Sequence, residues 1–504
     1  MIRQRVYEKL NYIYAFVFLA VFVAFTFTKY GGNVFLSIVT RLISLCLLVA
    51  VCLLMHKLKR VNSVNIKKIF LVCSAVMLVT QIVILLTVTF KPLTDANHID
   101  IIVRNYLSNG SGDLYSGLDG QHQHYLARYS NQWGIFIILS GFYKLVNYFV
   151  GHVPSSVPAI LNIIALQASF FFMFKTACLI FEKKKQVLFC IVAMFINPIL
   201  YGYTCYVYTD TLSMPFVIAS VYLILKAFKS EKLKPFVLYT VASATAIGIG
   251  YSIKGSAVII LVAAVMHAFF KLPLKKFAIV TVIMISVFML INSCVYATMK
   301  GLNVVSEDEI EQYSFPATHW VMMGLRDKGG YNDDDFFLTY VQHGVDGKTE
   351  MNVELIKARI EYFGVAGTLE HVAEKLNYTW GGGRYLLSFI YSESSGIAKY
   401  VFCDSAIFGV YSNFLQFTLV LFLLLSCIKA CIRKETGFLT FMRLCAVGIA
   451  VFLVIWEARS RYLISFMPLL LIIAVDGFDV LSELCEKAGN FLKTKHNKNT
   501  ATDC

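Results

Sequence analysis

The chain has 504 residues, of which 58% are hydrophobic and only 15% charged, with a mean hydropathy of +0.67. A soluble globular protein does not carry that balance. The formal net charge of +14 does not indicate a nucleic-acid partner either, because most of the excess Lys and Arg sits in short loops between apolar runs.

The pattern predicts an all-α polytopic membrane protein with about twelve spans. They start near Leu10, Asn33, Ile69, Ser156, Gln186, Thr211, Phe236, Gly255, Phe277, Gly409, Phe438 and Tyr462. The first follows Arg3 and Arg5 without a small-residue cleavage site after it, so it reads as a retained helix. Lys57/Lys59/Arg60, Lys183–Lys185, Lys226/Lys229/Lys232/Lys234, Lys271/Lys275/Lys276 and Lys429/Arg433/Lys434 all fall on one side, with the Lys-rich tail. The positive-inside bias makes that side, and both termini, cytoplasmic in a plasma membrane. Trp133–Val150 is apolar too, but a crossing there would force Lys183–Lys185 outside. It reads as an interfacial or re-entrant helix on the outer face, with a thirteenth span as the alternative.

The chain thus divides into 1–68 (two spans and a basic loop), 69–298 (a core of spans with a first outer loop at 91–155), 299–400 (an outer loop domain), 401–482 (C-terminal spans) and 483–504 (a basic tail). Within 299–400, helices are expected from about Asn352 to Phe363 and Thr368 to Asn377, and Asn332–Asp335 reads as a solvated acidic loop lacking calcium-loop spacing. The 13 cysteines fall mostly in apolar runs with no CxxC pair and read as small core hydrophobes; a Cys205–Cys403 disulfide on the outer side is open.

Asp95 follows a long apolar run, in Lys91-Pro92-Leu93-Thr94-Asp95-Ala96, and Asp210 stands in Tyr208-Thr209-Asp210. Each carboxylate could cap the helix after it. Alternatively the two converge on one cleft, one as general base toward an acceptor hydroxyl, the other orienting that acceptor or holding a metal. Lys254, Arg459 and Arg461 lie on the outer side, away from the usual inner bias, and suit a lipid phosphate. The competing reading pairs Glu457 with Arg461 as a helix-end anchor. The run Gly120–Gly134, with Arg128, Tyr129, Asn131 and Gln132, mixes amides and aromatics in the way sugar recognition needs. His122 and His124 could share a strand face toward a metal, but no third ligand is visible. His319, beside Trp320, is either an active-site lid residue or a structural histidine. No phosphate-binding Gly loop, GxSxG, HExxH or dinucleotide fingerprint occurs, which disfavours ATP-driven and nucleotide-sugar chemistry.

Thr94-Asp95-Ala96, Arg128 to Gly134, Tyr208-Thr209-Asp210, Lys254, Pro316 to Trp320, Asn377 to Gly383 and Trp456 to Tyr462 with Pro468 together resemble the GT-C membrane glycosyltransferases. The nearest branch is that of protein O-mannosyltransferases and aminoarabinose transferases, in its Gram-positive form. The resemblance implies a GT-C fold with two large extracytoplasmic segments and a polyprenyl-phosphate sugar donor. It implies Asp95 and Asp210 as catalytic acids, Lys254, Arg459 and Arg461 at the donor phosphate, and Glu457, His319 and Trp320 at the substrate. The acceptor would be a cell-wall glycan, teichoic acid or lipid, reached by inverting transfer. Mg or Mn serves some relatives and is not required by the chemistry. Ala96 stands where protein mannosyltransferases carry a second acid, which argues against a protein acceptor. A lipid-linked saccharide flippase and an outer-face polysaccharide polymerase are the alternatives.

Overall fold

A computed structural model describes residues 2–26, 39, 41–48, 65–111, 114–118 and 122–500. It is helical, and among the described residues the sole β pairing is an isolated bridge between Thr89 and Ser395. Among the described residues ten helices are long and apolar enough to cross a membrane, and Gly255–Lys271 is a shorter apolar one.

The direction of each run follows from what its ends touch. Asn11 donates to the Glu435 carbonyl at 2.7 Å, Lys229 to the Leu179 carbonyl at 2.5 Å, and Lys271 to Thr436 at 3.2 Å. These contacts gather the basic loops at one end of the bundle. At the opposite end Lys91 pairs with Glu393 at 2.5 Å, and Lys254 and Arg461 both reach Asp210. Ile2–Thr26, Ile66–Thr87, Val157–Ile180, Thr209–Phe228, Leu233–Ile253, Leu274–Gly301, Ala406–Arg433 and Phe438–Ile455 each run between these ends, as does the 3-10 turn Ser460–Phe466 with the helix it leads into. The run from Gln186 crosses as Lys184–Phe195 and Ile199–Gly202, broken at Asn197-Pro198, where the Asn197 side chain caps the Ile199 amide at 3.0 Å. The expected span near Asn33 and the basic loop at Lys57–Arg60 lie largely or wholly outside the described residues.

Trp133–Val150 does not run between the ends, although it is apolar enough to do so. It begins where Gln132 meets Tyr208. It ends where Arg104 donates to the Val153 carbonyl at 2.9 Å, just before a helix whose Asn162 holds the Tyr203 carbonyl at 2.6 Å. Both ends therefore lie at the Asp210 end, and the helix rests along it. Gly134 permits its seating, since a Cβ there would come within 2.2 Å of the Ser252 carbonyl oxygen.

Ile66–Thr87, which delivers Asp95, is inverted relative to a soluble helix. Leu71, Val79 and Leu86 point outward, while the fully buried Gln81 donates to the Leu200 carbonyl at 2.8 Å. Lipid tails solvate the leucines, so the polar group is the one that needs protein around it. At the basic end a second buried polar cluster locks three helices. Arg443 is fully buried, meets Asp476 at 2.7 Å and Glu435 at 2.9 Å, and Lys429 meets Asp476 at 2.5 Å.

The segment after Gly301 folds over the Asp210 end. The two expected helices are both present within Gly344–Trp380, separated by a break at Gly364, whose φ is 56° and whose ψ is -164°. Asn332–Asp335 is not a solvated loop: Asn332 caps Asp333–Tyr340, and the buried Asp335 is held by Arg326 at 2.9 Å and Arg359 at 2.7 Å. Cys205 and Cys403 are both free thiols, so that disulfide is absent. Cys190, Cys427 and Cys445 are buried as expected, whereas Cys46, Cys178 and Cys294 lie on exposed faces.

Candidate active site

Asp95 is in the first turn of Thr94–Asn109, and Asp210 in the first turn of Thr209–Phe228. Neither caps its helix, because the cap positions are Leu93 and Tyr208, without side-chain caps. Thr94 enters the helix at φ 53°, a left-handed conformation that a β-branched residue adopts only under constraint, at a cost of about 1–3 kcal/mol. That constraint lies directly against Asp95.

The two carboxylates are joined by one guanidinium. Arg461, on the 3-10 turn Ser460–Phe466, places Nη1 3.2 Å from Asp210 Oδ2 and Nη2 3.6 Å from Asp95 Oδ2. Lys254, at the end of Leu233–Ile253, contacts the other Asp210 oxygen. Tyr125 donates to Asp95 Oδ1 at 3.2 Å. The Tyr208 and Tyr462 rings face the guanidinium at 4.9 and 5.3 Å, and Lys254 lies 4.4 Å from the Tyr462 centroid. Glu457 does not pair with Arg461 as an anchor; it meets Arg459 at 3.3 Å and accepts from Tyr462 at 3.0 Å.

These groups border a cavity of about 1200 Å³. Asp95, Arg128, Tyr129, Asn131, Gln132, Lys254, His319, Trp320, Glu457, Arg459 and Arg461 all line it. Asp210 does not: its side chain is 1% exposed, against 38% for Asp95, and both its oxygens are taken by the cations. Arg128 is packed into the wall, 4.7 Å from the Tyr340 centroid, with its backbone carbonyl accepting from Phe315. His319 is buried, bonds Thr339 at 2.7 Å, and is held by burial near a pKa of about 3, so it is a neutral wall residue. His122 meets His98 at 2.7 Å and His124 meets Glu309 at 2.9 Å; the two histidines do not converge.

Among the described residues that line the cavity, the buried polar atoms without a hydrogen-bond partner include Arg461 Nε, Gln132 Oε1 and Ser256 Oγ. An unpaired buried group costs about 1–3 kcal/mol, which a bound polar ligand would recover. Burial lowers the Lys254 pKa, opposed by Asp210, and raises that of Glu457. Burial, and then Asp95, raises Tyr125 well above its ordinary value, so its hydroxyl remains a donor.

Two functional residues carry no signal in the sequence: Tyr125, one of several aromatics between 120 and 134, and Lys375. The Lys375 ammonium is buried and donates to the Gly324 carbonyl at 2.7 Å and the Trp456 carbonyl at 2.8 Å. With the Ala458 amide bonded to the Gly329 carbonyl at 2.7 Å, it clamps the loop that carries Glu457, Arg459 and Arg461. Gly324 is required there, since a Cβ would come 2.8 Å from the Trp456 oxygen.

A divalent ion between Asp95 and Asp210 does not fit this arrangement, because Arg461 occupies the bridging position and Lys254 the remaining Asp210 oxygen. Among the described residues no group of three or more His, Cys, Asp or Glu could hold a metal ion.

Fold and site together define a polytopic integral membrane protein with a charged, aromatic-walled cavity at one end of its helix bundle. A family described as conserved hypothetical integral membrane protein matches residues 3–479, and the chain belongs to that family. No curated protein matches it. Among solved structures it is similar to the Archaeoglobus fulgidus oligosaccharyltransferase in the apo form, at 13% identity and a TM-score of 0.44. That match covers 82% of this chain and 50% of the other, so this chain spans about half the archaeal protein's length. It is also similar to ArnT from Cupriavidus metallidurans, in the apo state at 11% identity and a TM-score of 0.37, and bound to undecaprenyl phosphate at 13% and 0.33. Each ArnT match covers 79% of this chain and 77% of the other.

Proposed function

We propose that the protein is a GT-C membrane glycosyltransferase that moves a monosaccharide from a polyprenyl phosphate to an acceptor hydroxyl outside the cytoplasm. The observation that carries this reading is the convergence of Asp95, Lys254 and Arg461 on one cavity, at the end opposite the basic loops. The positive-inside bias makes that the extracytoplasmic end. The order of motifs along the chain supports the same reading.

In the proposed reaction the acceptor oxygen attacks the anomeric carbon from the face opposite the lipid phosphate, which inverts that centre. Asp95 receives the hydroxyl proton. Lys254 and Arg461 stabilise the charge that develops on the departing phosphate, in a site where burial strengthens each contact. Asp210 holds both cations in place. Trp320, Tyr129 and Trp456 offer aromatic faces to the sugar and acceptor. The acceptor is a cell-wall glycan, teichoic acid or lipid rather than a protein.

The test is purified protein in lipid nanodiscs, given a panel of radiolabelled polyprenyl-phosphate hexoses and cell-envelope acceptor fractions. Labelled acceptor together with free lipid phosphate is the expected result. Lipid binding without cleavage for every sugar would replace the transferase with a flippase.

A further inference from the structure

Arg461 lies between the two groups whose charges the proposed reaction changes. One of its nitrogens reaches Asp95, another Asp210, and the third, Nε, is buried without a partner. Resting on the transferase reading above, we infer that Arg461 is a charge-coupling residue: it releases Asp95 as that carboxylate takes up a proton and transfers its contact to the departing phosphate, so that the lipid product leaves only after Asp95 has lost the proton.

The acceptor oxygen forms a bond to the anomeric carbon, and the bond from that carbon to the phosphate oxygen breaks with its electron pair passing to phosphate. The acceptor proton moves to Asp95. The phosphate goes from a diester with one negative charge to a monoester with close to two, while Asp95 goes from one to none. Total charge is unchanged, but it has moved from one side of Arg461 to the other. Asp210 cannot make this exchange, since it is sealed from the cavity and holds both Lys254 and Arg461. The other groups facing the pair have their own partners or are tyrosine hydroxyls. Tyr125 donates to Asp95, and Tyr129 and Tyr331 line the cavity near it; Tyr206, Tyr208 and Tyr462 surround Arg461; Glu457 is held by Arg459 and Tyr462; and His98, which borders the cavity, is bonded to His122. The contact that can open is the 3.6 Å one to Asp95, the longest ion pair Arg461 makes and the one that borders the cavity.

The experiment measures binding of dodecyl phosphate, a monoester, and its methyl diester to the full-length protein by calorimetry in buffers of differing ionisation enthalpy at pH 7.5–8.5. For wild type the expected result is uptake of about one proton with the monoester, affinity falling about tenfold per pH unit, and no uptake with the diester. Asp95→Asn should bind the monoester tighter, by about tenfold, with no uptake. Equal proton uptake by wild type and Asp95→Asn overturns the inference and leaves the transferase reading standing, because the proton would then reside on phosphate. Equal uptake with both esters in wild type overturns it without recourse to a variant. Binding of neither ester by any protein would remove the transferase reading along with it.

Discussion

Two clusters of buried charge sit at opposite ends of this bundle, built from the same kinds of residue. At the basic end Arg443 and Asp476 are 0% and 2% exposed, with Lys429 and Glu435 completing a set in which each charge has a partner. At the other end Arg461 and Asp210 are equally sealed, but Asp95 is 38% exposed to a cavity and Arg461 keeps an unpartnered nitrogen. Burial of ion pairs is therefore not what distinguishes a reactive site. The first cluster satisfies its own charges and joins helices; the second leaves one acid facing the cavity and one buried donor without a hydrogen bond.

That contrast can be broken in several ways. The largest expected effect is at the cavity: Lys254→Met should lower sugar transfer per folded molecule by about 10²–10³-fold, read by product formation, because a stabilising charge at the leaving phosphate is lost. Arg443→Met should do the reverse. It leaves Glu435 without its ion pair and Asp476 with Lys429 alone, costs about 3–5 kcal/mol of stability, and preserves transfer per folded molecule. A thermal-unfolding series alongside the transfer assay separates the two, and an Arg443→Met variant that is stable but inactive would erase the distinction.

Lys375→Met sharpens the comparison by loosening the loop that carries Glu457, Arg459 and Arg461. Burial holds Lys375 at about 8 against an ordinary 10.5, so between those values the unfolded chain carries the extra proton. Stability that depends on this group therefore rises with pH across that window, by about 1 kcal/mol per pH unit. The wild type should gain on Lys375→Met as pH goes from 8 to 10; parallel curves would mean that the ammonium is not held as described. The smallest effect is expected for Trp320→Ala, which removes one aromatic face. A rise of several-fold in the KM for the acceptor with kcat nearly kept is the predicted split.

Much of the architecture was legible because membrane spans advertise themselves as apolar runs with Lys and Arg at one set of ends. Lys183–Lys185 carried the expectation for how Trp133–Val150 lies, since its crossing would have reversed them. Asp95, Lys254 and Arg461 were legible as charges on the less basic side. Their pairing was not: Asp210 is 44 residues from Lys254 and 251 from Arg461, and nothing local specifies that they meet. The same holds for Lys375, whose place in a helix looks like any solvated lysine until Gly324 and Trp456 arrive 51 and 81 residues away. Asn332–Asp335 was misread because its acidic run hides a helix cap, and because Arg359, which neutralises Asp335, is 24 residues on.

The most direct measurement compares sugar transfer by wild type and Asp95→Asn, both purified, matched for folded protein, and given the same radiolabelled polyprenyl-phosphate hexose. Asn keeps the shape and the Tyr125 contact but cannot accept a proton. A loss of about 10²–10⁴-fold with insertion and thermal stability unchanged is the predicted result. Transfer retained by Asp95→Asn would contradict the assignment of this cavity as the place where the acceptor loses its proton.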